Sequence, residues 1–517
     1  MTTVVELYDF WFSEPIQKLW FNQSNSFDIE ISVKYTELLL SYEKIDIDIK
    51  NTKQLVGYII LLDQIPRHIY RNDIDCVNKY LQTILSFISD NSIIQKINSG
   101  SIESEIHNYD LCFILLPLRH SNTYDNFITV VNIIWKRIEQ QSDNEIYRKF
   151  LKASYERFNN HEIVLNDLTI DNTSKSIQYT DSLFLNKINE NHVAIISLSG
   201  GVDSMVLAYH LKVIHGLECV AVHINYSNRE ECIDEQRMVQ DYCSKLNIPC
   251  YISTINEIKR EPCMKYGFRD LYETYTKKVR FNAYKHIIKK SMTYGVYMGH
   301  NRDDCFENIL TNIATKNHYD NLWGMSNDTV IDGIRFIRPM LNVNKSDIYS
   351  FAKKYNIPYT CDSTPSWSQR GQIRDVVKPT LSNWNPEIID GIMKLSEYMK
   401  DSNIIVKQYA KSLVYDKGNI KYTFRYGNES CITEENEIPS SISTLVWQEI
   451  FKQQHIHITS KTLSVFIQKL NDIISNVARY IERKKNGHKL YHILNDKYKA
   501  QLNVYNNYIN ISFFLYL

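Results

Sequence analysis

Apolar positions along the first 165 residues recur at steps of three and four, in "VVELYDFWF", "SFDIEISVKYTELLL", "TKQLVGYIILLDQIPRHIY" and "YDNFITVVNIIWKRIEQQ". That period predicts amphipathic helices and, over this length, an all-helical domain. The pattern stops at "LNDLTIDNTSKSIQYTD", whose Asn, Asp, Ser and Thr mark a linker. From residue 193 short apolar runs ("VAIISL", "CVAVHIN", "PCYIST", "GVYMGH") alternate with helical stretches. Such alternation predicts a doubly wound α/β domain with a parallel sheet. After about residue 385 helical periodicity returns, and "HKLYHILNDKYKAQLNVYNNYINISFF" alternates like strands. The expected division is a helical domain over 1–165, a linker over 166–190, an α/β domain over 191–385, and a mostly helical substrate region ending in strands over 386–517.

Composition adds bounds. A chain of 517 residues is too long for one core. Lys+Arg and Asp+Glu are both 59, so any nucleic-acid surface must be a local patch. The ten cysteines contain no C-x-x-C pair and follow no secretory signal, and no run reaches the ~20 apolar residues of a membrane helix. The expectation is a cytoplasmic protein with free thiols and no membrane association.

The chemistry centres on "LSGGVDSM" after the first α/β strand. In such sheets the first strand-to-helix turn is the usual phosphate site. Gly200 and Gly201 let the backbone bend and aim N–H groups at an anion, the following helix adds the positive end of its dipole, and Ser199 and Ser204 add hydroxyls. Without a lysine the loop is not a Walker loop, and its glycine spacing is not that of a Rossmann loop. Asp203 would repel a bare phosphate, which points to magnesium-bound pyrophosphate. A turn that merely needs a positive φ is the plainer alternative. Further on, His300, Asp303, Asp304 and Glu307 lie three or four residues apart, so that on a helix the imidazole, one of the two aspartates and the glutamate share a face. Paired carboxylates can hold magnesium or deprotonate an amine; a solvated acidic helix start is the other reading. His223, on a buried strand, reads by itself as a core histidine.

"SGGVDS" resembles the pyrophosphate loop of the N-type ATP pyrophosphatases, and within them residues 190–385 are most similar to the tRNA(Ile)-lysidine synthetase family. The resemblance runs in order through "VHINYSN", "YETYTKKVRFNAYK", "GHNRDDCFEN", "LWGM", "RPML" and "CDSTPSWSQRGQIRDVVKPTL". It implies ATP bound by Ser199, Gly200, Gly201, Val202, Asp203, Ser204, His223 and His300. It further implies catalysis through Asp203, Asp303 and Arg374, and Mg²⁺ on Asp203, Asp304 and Glu307. tRNA would meet Arg280, Arg370 and the basic cluster Arg479, Lys484 and Lys485. The implied reaction adenylates a tRNA wobble cytidine and joins L-lysine to it. Two departures bear on substrate recognition: Cys305 and Phe306 follow the aspartate pair, and the family's R-N-R-I-R reads R-G-Q-I-R at 370–374. A tRNA-thiolating relative, or a degenerate nucleotide- or RNA-binding protein with an interaction module, are the alternatives. Asparagine and GMP synthetases need a glutaminase part, which Thr2 and a helical first region do not offer.

The first region, through "DFWF", "LLDQIPRHIYR", "LPLRHS" and "YERFNNHEIVL", resembles a bacterial, tetratricopeptide-like helical family of unknown function. It carries a fold and no activity, with a protein partner as one possible use. Asp63, Arg67, Arg119 and His120 are candidates to line a shared groove, beside an ordinary packing role.

Overall fold

A computed structural model describes residues 3–20, 24–101, 106–158, 164–166, 193–290, 293–315, 324–360, 368–415, 419–423, 440–475, 488–495, 497–504 and 508–515. Most of the expected linker and the cluster holding Arg479, Lys484 and Lys485 lie outside the described residues.

The described residues between 3 and 158 form helices joined by short connections, and the sequence explains several of the helix starts. Thr3 and Glu6 form a reciprocal capping box at Val4–Trp11, and Asn51, Asp73 and Asn144 cap the helices Thr52–Asp63, Ile74–Asp90 and Glu145–Arg157. Each cap satisfies a backbone N–H that the helix leaves orphaned. Thr52–Asp63 is buried nearly all round and forms the hub of the bundle. Gly57 is needed there because a Cβ would stand 2.1 Å from the carbonyl oxygen of Val4.

The α/β region is a seven-stranded sheet. Its strands are β1 (Val164–Asn166), β2 (Val193–Ser197), β3 (Cys219–Asn225), β4 (Cys250–Thr254), β5 (Thr293–Tyr297), β6 (Asp328–Ile331) and β7 (Ile334–Ile337), in the order β1-β4-β3-β2-β5-β7-β6. The five central strands are parallel, while β1 and β6 pair antiparallel at the two edges. The sheet is therefore mostly parallel rather than wholly so. Its last hairpin turns at Asp332 and Gly333, with φ of 50° and 79°, the Asp-Gly geometry that matches strand twist. The chain winds from β2 to one side and crosses back to β5 on the other, which puts the switch point between β2 and β5.

The C-terminal region places the long helix Ile388–Leu413 and the helices Ser440–Gln453 and Ser460–Ser475 with a five-stranded antiparallel sheet. The strands are β8 (Val414–Tyr415), β9 (Asn419–Thr423), β10 (His488–Ile493), β11 (Tyr498–Val504) and β12 (Tyr508–Leu515). The alternation near the C-terminus identified the last three. β9 pairs with β12 from some ninety residues upstream, and a five-residue run leaves little periodicity to read.

The helical and α/β regions share one buried cluster. Ile255, Ile258, Cys263, Phe268, Leu271, Tyr275 and Val279 belong to the same buried cluster as the helical bundle. These residues follow β4 and run into the helix Arg269–Lys290. Trp135 meets Phe268 edge-on at 5.3 Å. The Tyr155 hydroxyl donates to the Glu257 carbonyl at 2.6 Å. Lys278 Nζ donates to the carbonyls of Glu156 (2.7 Å) and Phe158 (2.8 Å), closing the C-terminus of Glu145–Arg157. Even β1, directly beyond the bundle, pairs with β4 and extends the α/β sheet.

Candidate functional site

β2 ends at Ser197, and the chain turns through Leu198–Gly201 into the helix Val202–Tyr209. Gly200 sits at φ +91°, in the left-handed region that favours glycine. The loop is braced from within: Ser204 Oγ accepts from the Ser199 N–H at 3.1 Å and donates to the Gly201 carbonyl at 3.0 Å. It is also braced from outside, since the Thr360 N–H donates to the Gly200 carbonyl at 3.0 Å. Val202 is buried, so only its backbone faces the loop. His223 is 3 % exposed, and its Nδ1 lies 2.9 Å from the Leu198 carbonyl. Burial holds its pKa down, so the neutral ring donates that hydrogen bond and fixes the strand end from beneath.

Opposite the loop, β5 ends and the helix Arg302–Thr315 begins. His300 therefore precedes the helix rather than sharing its face with the carboxylates. Gly299 lets this segment approach the loop: a Cβ there would be 2.9 Å from the carbonyl carbon of Asp203 and the nitrogen of Ser204. Asn301, 2 % exposed, joins the two elements. Its Oδ1 caps the helix by accepting from the N–H groups of Asp303 (2.9 Å) and Asp304 (3.1 Å), while its Nδ2 donates to Asp203 Oδ1 at 2.9 Å. Asp304 returns the cap, accepting from the Asn301 N–H at 3.1 Å.

Every other carboxylate called from the sequence is ion-paired. Asp203 Oδ2 takes Lys345 Nζ at 2.5 Å, from the start of the helix Lys345–Lys354. Asp303 takes Lys378 Nζ at 2.6 Å. Glu307 takes Arg374, with Nε at 2.8 Å and Nη2 at 2.7 Å on the same oxygen, and Arg370 stands 3.8 Å from the other. Asp303 and Glu307 are four apart, as are Arg370, Arg374 and Lys378, and the two series run in opposite directions. A π-turn over Ile373–Val377 carries Arg374 between two helical segments, the kind of widened turn that often re-aims a functional side chain. Burial raises the pKa of Glu307 against the pull of Arg374. Its Oε2 is buried without a hydrogen-bond partner among the described residues. His300 is pushed down to about 4, first by burial and then by Arg338, Arg370 and Arg280, so it is a neutral donor or acceptor at pH 7. Arg280 comes from the helix Arg269–Lys290 that the helical bundle packs against.

Among the described residues no three His, Cys, Asp or Glu side chains gather as a metal cluster, and the magnesium ligands expected from the resemblance, Asp203, Asp304 and Glu307, each have protein partners. Asp304 is committed to the helix cap and Glu307 to two arginines. Asp203 lies within the loop itself, which suits Mg²⁺ in its common mode of one or two protein carboxylates plus substrate phosphates. The sequence reading missed Gly299, Asn301, Lys345 and Lys378. An asparagine three residues before an aspartate at a helix start was a legible signal for Asn301; the two lysines carry none, because their partners are distant in sequence.

Residues 172–381 match a family model described as a PP-loop domain. Residues 7–168 match one described as a bacterial protein of unknown function (DUF924). The tRNA(Ile)-lysidine synthase of Mesoplasma florum is 28% identical over 228 residues, covering 44% of this chain and 55% of that protein. That of Chlamydia muridarum is 28% identical over 201 residues, 38% of this chain and 60% of that protein. The chain thus spans somewhat over half the length of these curated relatives. Among solved structures, a tRNA thiolase from Methanococcus maripaludis aligns over 41% of this chain and 72% of its own at 18% identity, with a TM-score of 0.33.

Proposed function

We propose that this chain is an ATP-dependent ligase of the tRNA(Ile)-lysidine synthase type. The observation that carries the reading is the loop Ser199–Ser204 held across the β2/β5 switch point from a helix whose acids face a row of bases. ATP lies with its β- and γ-phosphates against the loop N–H groups and the dipole of Val202–Tyr209. The cytidine O2 attacks the α-phosphorus, the bond to the bridging oxygen breaks, and pyrophosphate leaves. Lysine nitrogen then attacks C2, AMP departs with the oxygen, and a carboxylate takes the amine proton.

Asp303, exposed enough to exchange Lys378 for a substrate amine, is the candidate base. Arg374 and Arg370 supply planar guanidinium donors for the charge that develops on the phosphoryl oxygens. Lys345 supplies the cation that the loop itself lacks. Mg²⁺, when bound, would neutralise phosphate charge, with Asp203 as its protein ligand. Arg280, Arg370 and the segment with Arg479, Lys484 and Lys485 are the proposed tRNA contacts.

ATP–pyrophosphate exchange with isoleucine tRNA transcripts, with and without lysine, followed by mass spectrometry of the RNA, tests the reading. Exchange that needs tRNA, and a mass gain equal to lysine less water, is the expected result. Exchange without tRNA, or an RNA that gains sulfur, would replace it.

A further inference from the structure

The helical domain holds a second charged cluster that the reading above does not use. Asp63 ends the helix Thr52–Asp63 and is 2 % exposed. It accepts from Arg67 Nη2 at 3.0 Å, from Gln64 Nε2 at 2.5 Å, and sits 2.9 Å from His120 Nδ1. Burial opposes its charge, yet His120 and then Arg67 outweigh that and hold its pKa down at about 2. Arg119, next to His120 at the end of Asn108–Ser121, lays its guanidinium over Phe150 at 4.7 Å. Arg157, exposed at the end of Glu145–Arg157, feels Arg67 and Asp63 electrostatically and acts in turn on Arg119. These residues come from "LLDQIPRHIYR", "LPLRHS" and "YERF", three of the segments that carry the resemblance of this region, so three distant stretches of chain meet at one place.

The charges do not balance. Arg119 feels Arg157 and Arg67 as like charges and Asp63 as the one carboxylate, and burial, the largest effect, with these neighbours pushes it down to about 10. Burial also holds His120 down, leaving it neutral at pH 7. Three guanidiniums against one carboxylate leave a local excess of two positive charges. The Nε atoms of Arg67 and Arg119 are buried with no hydrogen-bond partner among the described residues. A buried donor without a partner costs free energy, the more so on a cation. Arg67 stays 28% exposed in its side chain and Arg157 is exposed, so the cluster opens to solvent.

We propose that Arg67, Arg119 and Arg157 form a binding site for a phosphate group in its dianionic form, with Asp63 and Gln64 orienting Arg67. The excess of two charges suits a phosphate that carries about −1.5 to −2 at pH 7 better than it suits a single carboxylate. Planar guanidinium forks, one of them fixed on an aromatic face, are the donors that recognise phosphate oxygens in pairs. The phosphate is either free or the terminal monoester of an RNA, and the same groups recognise both.

The test is calorimetry on the full chain with the α/β loop saturated by α,β-methylene-ATP and inorganic phosphate as the probe. One equivalent of phosphate should bind, and Arg157→Gln and Arg119→Lys should each weaken it about tenfold or more, the scale of one charge-assisted hydrogen bond. Arg157 is an exposed helix-end residue, so its variant folds even if the buried Arg119 site does not tolerate lysine. No phosphate uptake, or uptake unchanged in Arg157→Gln, overturns the site. In a competition arm, displacement by a 5′-phosphorylated RNA but not by its 5′-hydroxyl twin supports the site and names RNA as the source. Displacement by neither supports it with free phosphate as the source. Equal displacement by both means contact with backbone phosphodiesters and overturns the monoester reading.

Discussion

The two charged clusters of this molecule are assembled by opposite rules. At the α/β site three of the acids each have a base, Asp203 with Lys345, Asp303 with Lys378 and Glu307 with Arg374, while Asp304 caps a helix. In the helical domain one buried acid, Asp63, ion-pairs with Arg67 and hydrogen-bonds to the neutral His120, with Arg119 and Arg157 acting on the same cluster. A balanced set can exchange partners when a substrate brings its own charges, because nothing is left uncompensated in either state. An unbalanced set is fixed in place and waits for a single sign of charge. Exposure divides differently, since the Asp203 and Asp303 side chains stay about a quarter exposed or more while Glu307 at 3% is nearly as buried as Asp63 at 1%.

The largest effect that would break this comparison is removal of the helical domain. Deleting residues 1–163 strips the cover from Ile255, Ile258, Phe268, Leu271 and Tyr275. At about 1.5–3 kcal/mol for each large buried side chain, the α/β domain should lose more than its margin of stability and aggregate. Sedimentation of the expressed fragment checks this, and a soluble, ATP-cleaving fragment would restore the view of two separate cores. Next comes Arg374→Ala, which should lower tRNA-dependent AMP formation by roughly 10² to 10³ with little change in ATP affinity. Weakened nucleotide binding with the tRNA step intact would instead make Arg374 a nucleotide ligand. Asp63→Asn should cost about 3–5 kcal/mol in denaturant unfolding, since it leaves Arg67 and its neighbours without a counter-charge in the interior.

The same aspartate gives a pH signature. Its folded pKa, about 2, is below the usual carboxylate value, so its stabilisation is complete above about pH 4 and is lost as pH falls toward 2. The loss amounts to about 2 kcal/mol, and Asp63→Asn should flatten that part of the stability profile. The smallest effect expected is Asp304→Ala, about 1 kcal/mol for half of a helix cap, with catalysis largely kept. A complete loss of activity in that variant would show that Asp304 meets substrate.

The loop was legible because its signal is local: two glycines, two serines and an aspartate between a strand and a helix. The carboxylates of "GHNRDDCFEN" were legible as a group, but their division of labour was not. Which aspartate caps the helix depends on the helix starting at Arg302, two positions later than a shared face with His300 requires. The pairing of Asp303 and Glu307 with the series Arg370, Arg374 and Lys378 needed two four-residue spacings to be matched across some seventy residues. Lys345 sits 142 positions from Asp203, and nothing around it in sequence sets it apart from other surface lysines. The bundle's periodicity predicted helices correctly, yet it said nothing of where their apolar faces would end. A packed neighbour beyond the linker completes that face, and amphipathic patterns do not name their partners.

The helix Arg269–Lys290 touches the bundle through Leu271 and Tyr275 and reaches the surroundings of His300 through Arg280, little more than two turns further on. The halves are thus held by packing as well as by the peptide chain between them. Expressed from two messages, one ending and the other beginning within residues 167–190, they should still find each other and assemble. Neither half would then keep its fold apart from the other, because each supplies part of the other's interior.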